Sequence, residues 1–197
     1  MKKRKYTKTR RAEQQEETRD KIVEAAMALH EELGPRATSI SAIAERAGVQ
    51  RLTVYRHFED DVAIFQACSS RWFELNPPPG PSLWQELAPA AQRTEEALVN
   101  IYTYYSNSAA MLNRVYSDEA DVPALQEVMQ GFRLYLEGIS NDLLKAWQPE
   151  SKKRKDIKTL INHAVQFSTW KSFSQEQMKE RKIAELMTKC IDRIASY

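Results

Sequence analysis

Residues 38–65 read TSISAIAERAGVQRLTVYRHFEDDVAIF, from Thr38 to Phe65. Two short helical segments, Ile40 to Ala47 and Gln50 to His57, are separated by Gly48-Val49. Thr38 and Ser39 carry the short oxygen side chains that suit a helix start. Gly48 suits a turn at positive φ, where glycine has no Cβ to clash. Ala44 and Ala47 are small enough for two helices to cross closely, and Ile43, Val49 and Val54 fill the small core between them. This is the pattern of a helix-turn-helix. Gln50, Arg51, Leu52, Thr53, Tyr55 and Arg56 then occupy the remaining faces of the second helix. Arg forks onto guanine, Gln onto adenine, and an apolar group meets the thymine methyl. Tyr and His, here Tyr55 and His57, reach phosphates and fix register.

On either side, the chain continues in helices. Ile22, Ala26, Leu29 and Leu33 form one apolar stripe over residues 13–33. Gly34-Pro35 ends it, a C-cap followed by a residue that cannot continue a helix. Asp60 is a good N-cap for a fourth helix to about Asn76. Pro77-Pro78-Pro79-Gly80-Pro81 reads as a stiff connector. Beyond it, helices are expected over 82–88, 90–107, 109–118, 122–147, 153–173 and 175–195. No alternating strand is found. The expected fold class is all-α. A basic flexible arm, 1–12, precedes an N-terminal helix-turn-helix domain of three or four helices, 13–76, and a C-terminal helical-bundle domain follows, 82–197.

Composition removes whole classes of function. The 197 residues include five glycines, where ordinary usage of about 7% would give roughly fourteen. None are clustered as a phosphate loop or dinucleotide fingerprint requires. Cys68 and Cys190 have no metal or redox spacing, which suits a reducing compartment. His30, His57 and His163 show no ligand spacing, so neither metal nor cofactor is expected. The longest uncharged run, Ala97 to Asn113, is too polar to span a bilayer. A cytoplasmic protein without a membrane segment is expected. Charge is uneven: residues 1–58 hold 13 Lys/Arg against 8 Asp/Glu, and the remainder 16 against 19. Seven of those bases lie within residues 1–11, with no acid. A basic front end suits a polyanion; a solvated tail explains the arm equally well.

The stretch from about Thr18 to Trp72, above all IAERAGV and TVYRHF, resembles the DNA-binding core of the tetracycline-repressor (TetR) family of bacterial regulators. The resemblance implies an all-α homodimer on a pseudo-palindromic DNA operator, usually released by a small-molecule effector held in the C-terminal domain. It implies that Arg51, Leu52 and Thr53 face base edges, with Gln50 at the tip of the reading helix. Tyr55 and His57 contact phosphate, while Thr38, Ser39 and Ser41 anchor the backbone. One position departs from the pattern. The family commonly sets a Lys or Arg near the start of the fourth helix, where this chain has Asp61.

The C-terminal half carries no sharp motif. Tyr102, Tyr105, Phe132, Tyr135, His163, Phe167 and Trp170 are candidates for an effector pocket between helices. His163, Phe167 and Trp170 would share one helix face, although core packing explains such residues as well. Ile183, Leu186, Met187, Cys190, Ile191 and Ile194 give the last helix a wide apolar face. It is wide enough for the last two helices to form a homodimer interface as well as an intrachain core. Asp118, Glu119 and Asp121 cluster in an expected loop without a catalytic partner, so no enzyme is expected. The leading reading is a DNA-binding regulator, most simply a repressor. The alternatives are a helical DNA-binding or architectural protein without effector, and an all-α enzyme or carrier with an aromatic pocket.

Overall fold

The computed structural model describes residues 3–196, with side chains from Arg10 onward. Ten α-helices and no strand are found among them: α1 Lys3–Leu33, α2 Ile40–Ala47, α3 Arg51–His57, α4 Asp61–Leu75, α5 Ala90–Asn107, α6 Ala109–Asp118, α7 Pro123–Trp147, α8 Arg154–Ala164, α9 Phe167–Gln175 and α10 Glu180–Ser196. Helix α1 begins well before residue 13, so most of the expected flexible arm is helical backbone. No glycine or proline interrupts residues 3–33, and Lys, Arg, Glu and Gln are good helix formers. Residues 1 and 2, and the side chains of residues 3–9, which the arm was expected to include, lie outside the described residues.

Two compact units divide the chain. The first takes the segment through Pro77 together with Ala110–Met129; the second takes Pro78–Ala109 and Gln130–Tyr197. Helix α6 and the start of α7 therefore belong with the first unit, not with the domain expected from residue 82. In the first unit, Ile22, Val23, Ala26 and Leu29 of α1 pack on Ile43 and Ala44 of α2, Val54 of α3, and Ile64 and Cys68 of α4. Each large aliphatic side chain contributes roughly 1.5–3 kcal/mol when fully buried. Gly34 adopts φ +93°, the left-handed cap that the sequence signalled. That backbone favours glycine; a Cβ there would also stand 2.5 Å from Oδ2 of Asp118, whose carboxylate would have to turn aside.

The second unit is built on α5 against α10, with α8 and α9 alongside. Pro81–Leu83 forms a single 3-10 turn where a helix over 82–88 was expected. Trp84 just beyond it is buried, and its Nε1–H donates to Asp142 at 3.2 Å. The helix expected over 153–173 breaks at Gln166, which has extended backbone. Tyr102 Oη–H donates to the Ala164 carbonyl at 2.6 Å and Tyr105 Oη–H to that of Val165 at 2.7 Å. A continuous helix would have used both carbonyls itself. Cys68 is buried and Cys190 exposed, both as free thiols.

Candidate nucleic-acid interface

Helix α2 starts at Ser39, whose hydroxyl accepts from the Ala42 N–H at 3.2 Å. Thr38 Oγ1–H donates to the Gly34 carbonyl at 2.8 Å. The turn after α2 follows its chemistry: Gly48 sits at φ +68°, its N–H donating to Glu45 at 3.1 Å, and the Val49 N–H donates to Ala44 at 2.9 Å. Gln50 then caps α3 with extended backbone, and its side chain makes no capping hydrogen bond. Val54 and Phe58 turn inward and are almost completely buried. The Arg19 guanidinium lies over the Phe58 ring, 5.1 Å from its centre, tying α1 to the end of α3.

What remains outward is the face the sequence picked out. Gln50, Arg51, Leu52, Tyr55 and Arg56 are exposed, and Thr53 and His57 half-buried. Ser39 and Ser41 are exposed at the start of α2, and Thr38 is half-buried behind them. The structure thus gathers all nine expected DNA contacts on α2, α3 and the residues leading into them. Other cations nearby are engaged. Arg46 forks onto Glu32 at 2.8 and 2.7 Å, and this hydrogen bonding pulls the Glu32 carboxyl below the usual range. Arg71 pairs with Glu24 and Glu74. Among the described residues, Arg51 and Arg56 form no ion pair.

The support of this interface comes from residues distant in the chain. Arg36 follows Gly34-Pro35 in the turn that delivers Thr38 and Ser39. Its N–H donates to Asp118 at 3.0 Å and its guanidinium to Asp121 at 2.7 Å. Arg114 Nη2 donates to the Glu32 carbonyl at 3.0 Å. The acidic cluster at 118–121 is therefore a clamp on the turn between α1 and α2. Eighty-two residues separate Arg36 from Asp118, so no local signal announces the pair.

In the second unit the aromatic candidates meet, with one exception. Tyr105 lies 5.4 Å from Phe167, 6.2 Å from Trp170 and 6.4 Å from Tyr102 between ring centres. Phe132 lies 5.6 Å from Tyr135 and 6.3 Å from Tyr104. His163 is exposed on α8, because the break at Gln166 takes it off the face of Phe167 and Trp170. Burial pushes the Tyr102 hydroxyl above its ordinary pKa, as it does that of Tyr135, which the Tyr104 hydroxyl also disfavours as an anion. Tyr135 Oη–H donates to the Pro79 carbonyl at 2.8 Å. Among the described residues, Trp170 Nε1–H is buried without a partner. On α10, Ile183, Met187 and Ile191 point into the unit, leaving Leu186, Cys190 and Ile194 outside.

This architecture recurs in known proteins. Residues 22–68 match the model of the family described as bacterial regulatory proteins, tetR family. A TetR-like transcriptional regulator from Rhodococcus sp. RHA1 superposes with a TM-score of 0.61 at 17% identity, over 89% of this chain and 94% of that one. A second transcriptional regulator from Rhodococcus sp. RHA1 gives 0.58 at 16%, over 90% and 96%. A mutant of the HlyIIR protein gives 0.59 at 17%, over 88% and 96%. No curated protein sequence matches the chain. The matched segment is the helix-turn-helix, and what the solved structures share with this chain is a helix-turn-helix ahead of a helical domain. Residues 22–68 thus match the N-terminal domain of the tetR family, and over nearly its whole length the chain is similar in fold to a TetR-like regulator. Regulators of that family are generally DNA-binding proteins rather than enzymes, and they typically act as dimers. Among the described residues, no helix is long and apolar enough to cross a membrane.

Proposed function

We propose that the protein is a cytoplasmic repressor that binds a pseudo-palindromic operator as a homodimer and is released by a small molecule. The observation that carries this reading is the outward face of α3, where Arg51, Leu52 and Tyr55 stand exposed over a packed domain. Arg51, Leu52 and Thr53 meet base edges, and Gln50 reaches a base or a phosphate from the tip. Tyr55 and His57 hold phosphates. Thr38 and Ser39 spend their hydroxyls on the turn and the cap, so with Ser41 they act by aiming the first N–H groups of α2 at a phosphate. Dimerisation uses the exposed stripe Leu186, Cys190 and Ile194 of the last helix.

The effector site is the cluster of Tyr102, Tyr105, Phe132, Tyr135, Phe167 and Trp170, without His163. The hydroxyls of Tyr102, Tyr105 and Tyr135 are spent on carbonyls, so they offer rings rather than donors. Trp170 Nε1–H is the free donor, which favours an effector with an apolar body and one acceptor. Selecting DNA from a random pool with the purified protein tests the central claim. A recovered motif with two-fold symmetry, lost with Arg51→Ala, is expected; enrichment without any motif would overturn it. A ligand that raises the melting temperature and weakens operator binding identifies the effector.

A further inference from the structure

Helix α7 carries a face that is exposed at Glu127, Gly131, Leu134, Gly138 and Lys145, with Asn141 half-buried among them. Glu127, Gly131, Leu134, Gly138, Asn141 and Lys145 recur at three- and four-residue steps and so share one side. Leu134 is 60% exposed, more than any other large hydrophobic residue described. Gly131 and Gly138 flank it in open space: a Cβ at either would meet nothing within 4 Å. Neither glycine sits at positive φ. Both weaken the helix without easing its backbone or its own packing. Such positions suit the close approach of a second backbone.

The charges say which backbone. Glu127 and Lys145 stand at opposite ends of the face, both exposed and without ion pairs among the described residues. Lay a second α7 antiparallel on the first about a two-fold axis level with residue 136. Glu127 then meets Lys145 of the partner subunit, Leu134 meets Gly138 of the partner subunit, and Gly131 meets Asn141 of the partner subunit. One midpoint satisfies all three pairs. Each contact is made twice, as a two-fold interface requires. We propose that α7 pairs antiparallel with α7 of a second copy of this chain, Leu134 seated in the hollow at Gly138. This surface is separate from the α10 stripe, and with it would join two dimers.

Sedimentation velocity over a concentration series tests it in the full chain carrying Leu186→Glu and Ile194→Glu, where the α10 stripe cannot pair. That protein is expected still to dimerise. Glu127→Lys or Lys145→Glu alone is expected to weaken the dimer at least about ten-fold by setting like charges opposite each other. The two together are expected to restore it, which mere surface perturbation would not do. A monomer at every concentration, or a dimer indifferent to Glu127→Lys and Leu134→Glu, overturns the proposal. Should the α10 changes prevent folding, the otherwise native chain with Leu134→Cys, Gly138→Cys and Cys190→Ser decides. Oxidation is expected to give a covalent dimer that reductant reverses; monomer alone overturns the pairing.

Discussion

Leu52 and Tyr55 leave more than half of their surface in solvent on a helix of seven residues. The core beneath does not need them, since Val54 and Phe58 supply its contacts. The proposed function assigns the exposed leucine and tyrosine of this short helix, with an arginine that forms no ion pair among the described residues, to a partner. The division of labour among them is testable. Arg51→Ala is expected to cost ~1–3 kcal/mol on the best operator and to relax preference at one base pair. Tyr55→Phe is expected to weaken all sites about equally. Binding to a panel of single-base operator variants reads both, and an unchanged preference in Arg51→Ala removes Arg51 from base reading. Asp61 works the other way. It opens α4 beside the cap Asp60, whose carboxylate accepts from the Ala63 N–H at 2.8 Å. An acid there favours the helix dipole; on the proposed docking it also repels the phosphate that a basic residue at this position would hold. Asp61→Lys is expected to tighten operator binding and steepen its salt dependence by about one contact. The free protein is expected to lose up to ~1 kcal/mol. Isotherms across a salt series, with a melt of the free protein, measure both; no tightening at any salt would place Asp61 away from DNA.

Helices α1 and α4 meet through His30 and Phe65, whose rings stack 4.8 Å apart and 8° from parallel. Burial lowers the His30 pKa from 6.5 to about 4. Below pH 6.5 the unfolded chain takes up a proton that the folded one refuses. Stability is therefore full above about pH 6.5 and falls as pH drops to 4, by about 3 kcal/mol. His30→Phe keeps a ring on Phe65 and cannot protonate, so urea melts between pH 7 and 4.5 are expected to show a shallower loss. Parallel loss in both proteins would acquit His30. Such tertiary consequences were invisible in the sequence, whereas the helix ends were not. Ser39, Gly48, Asp60 and Gly34 act on backbone groups within a few residues, so their chemistry is local and readable. The break between α8 and α9 has no glycine or proline to mark it; it is held by two tyrosine hydroxyls sixty residues away. That distant hold is why His163 was expected on the wrong face. The width of the α10 stripe likewise concealed which of its residues turn inward.

For the molecule as an assembly, α10 sets a clear contrast. Ile183, Met187 and Ile191 are core, so acids at Met187 or Ile191 are expected to unfold the chain rather than separate a pair of subunits. Leu186 and Ile194 are each 37% exposed and one helical stripe apart from that core. Leu186→Glu with Ile194→Glu is expected to remove one association step while shifting the melt by no more than about 0.5 kcal/mol per site. Sedimentation equilibrium checks it; association equal to that of the parent chain would exclude the stripe as an interface. The two thiols have a practical corollary. Cys190 lies in the middle of that stripe, open to solvent in the single chain, whereas burial pushes the Cys68 thiol up to about 12 and hides it in the first unit's core. The thiolate is the reactive form. A maleimide is therefore expected to label one thiol per folded chain, more slowly as rising protein concentration covers α10. The second thiol reacts only when the N-terminal core opens. The chain thus carries two native reporters, one of subunit encounter and one of core opening, that the same reagent reads on separate clocks.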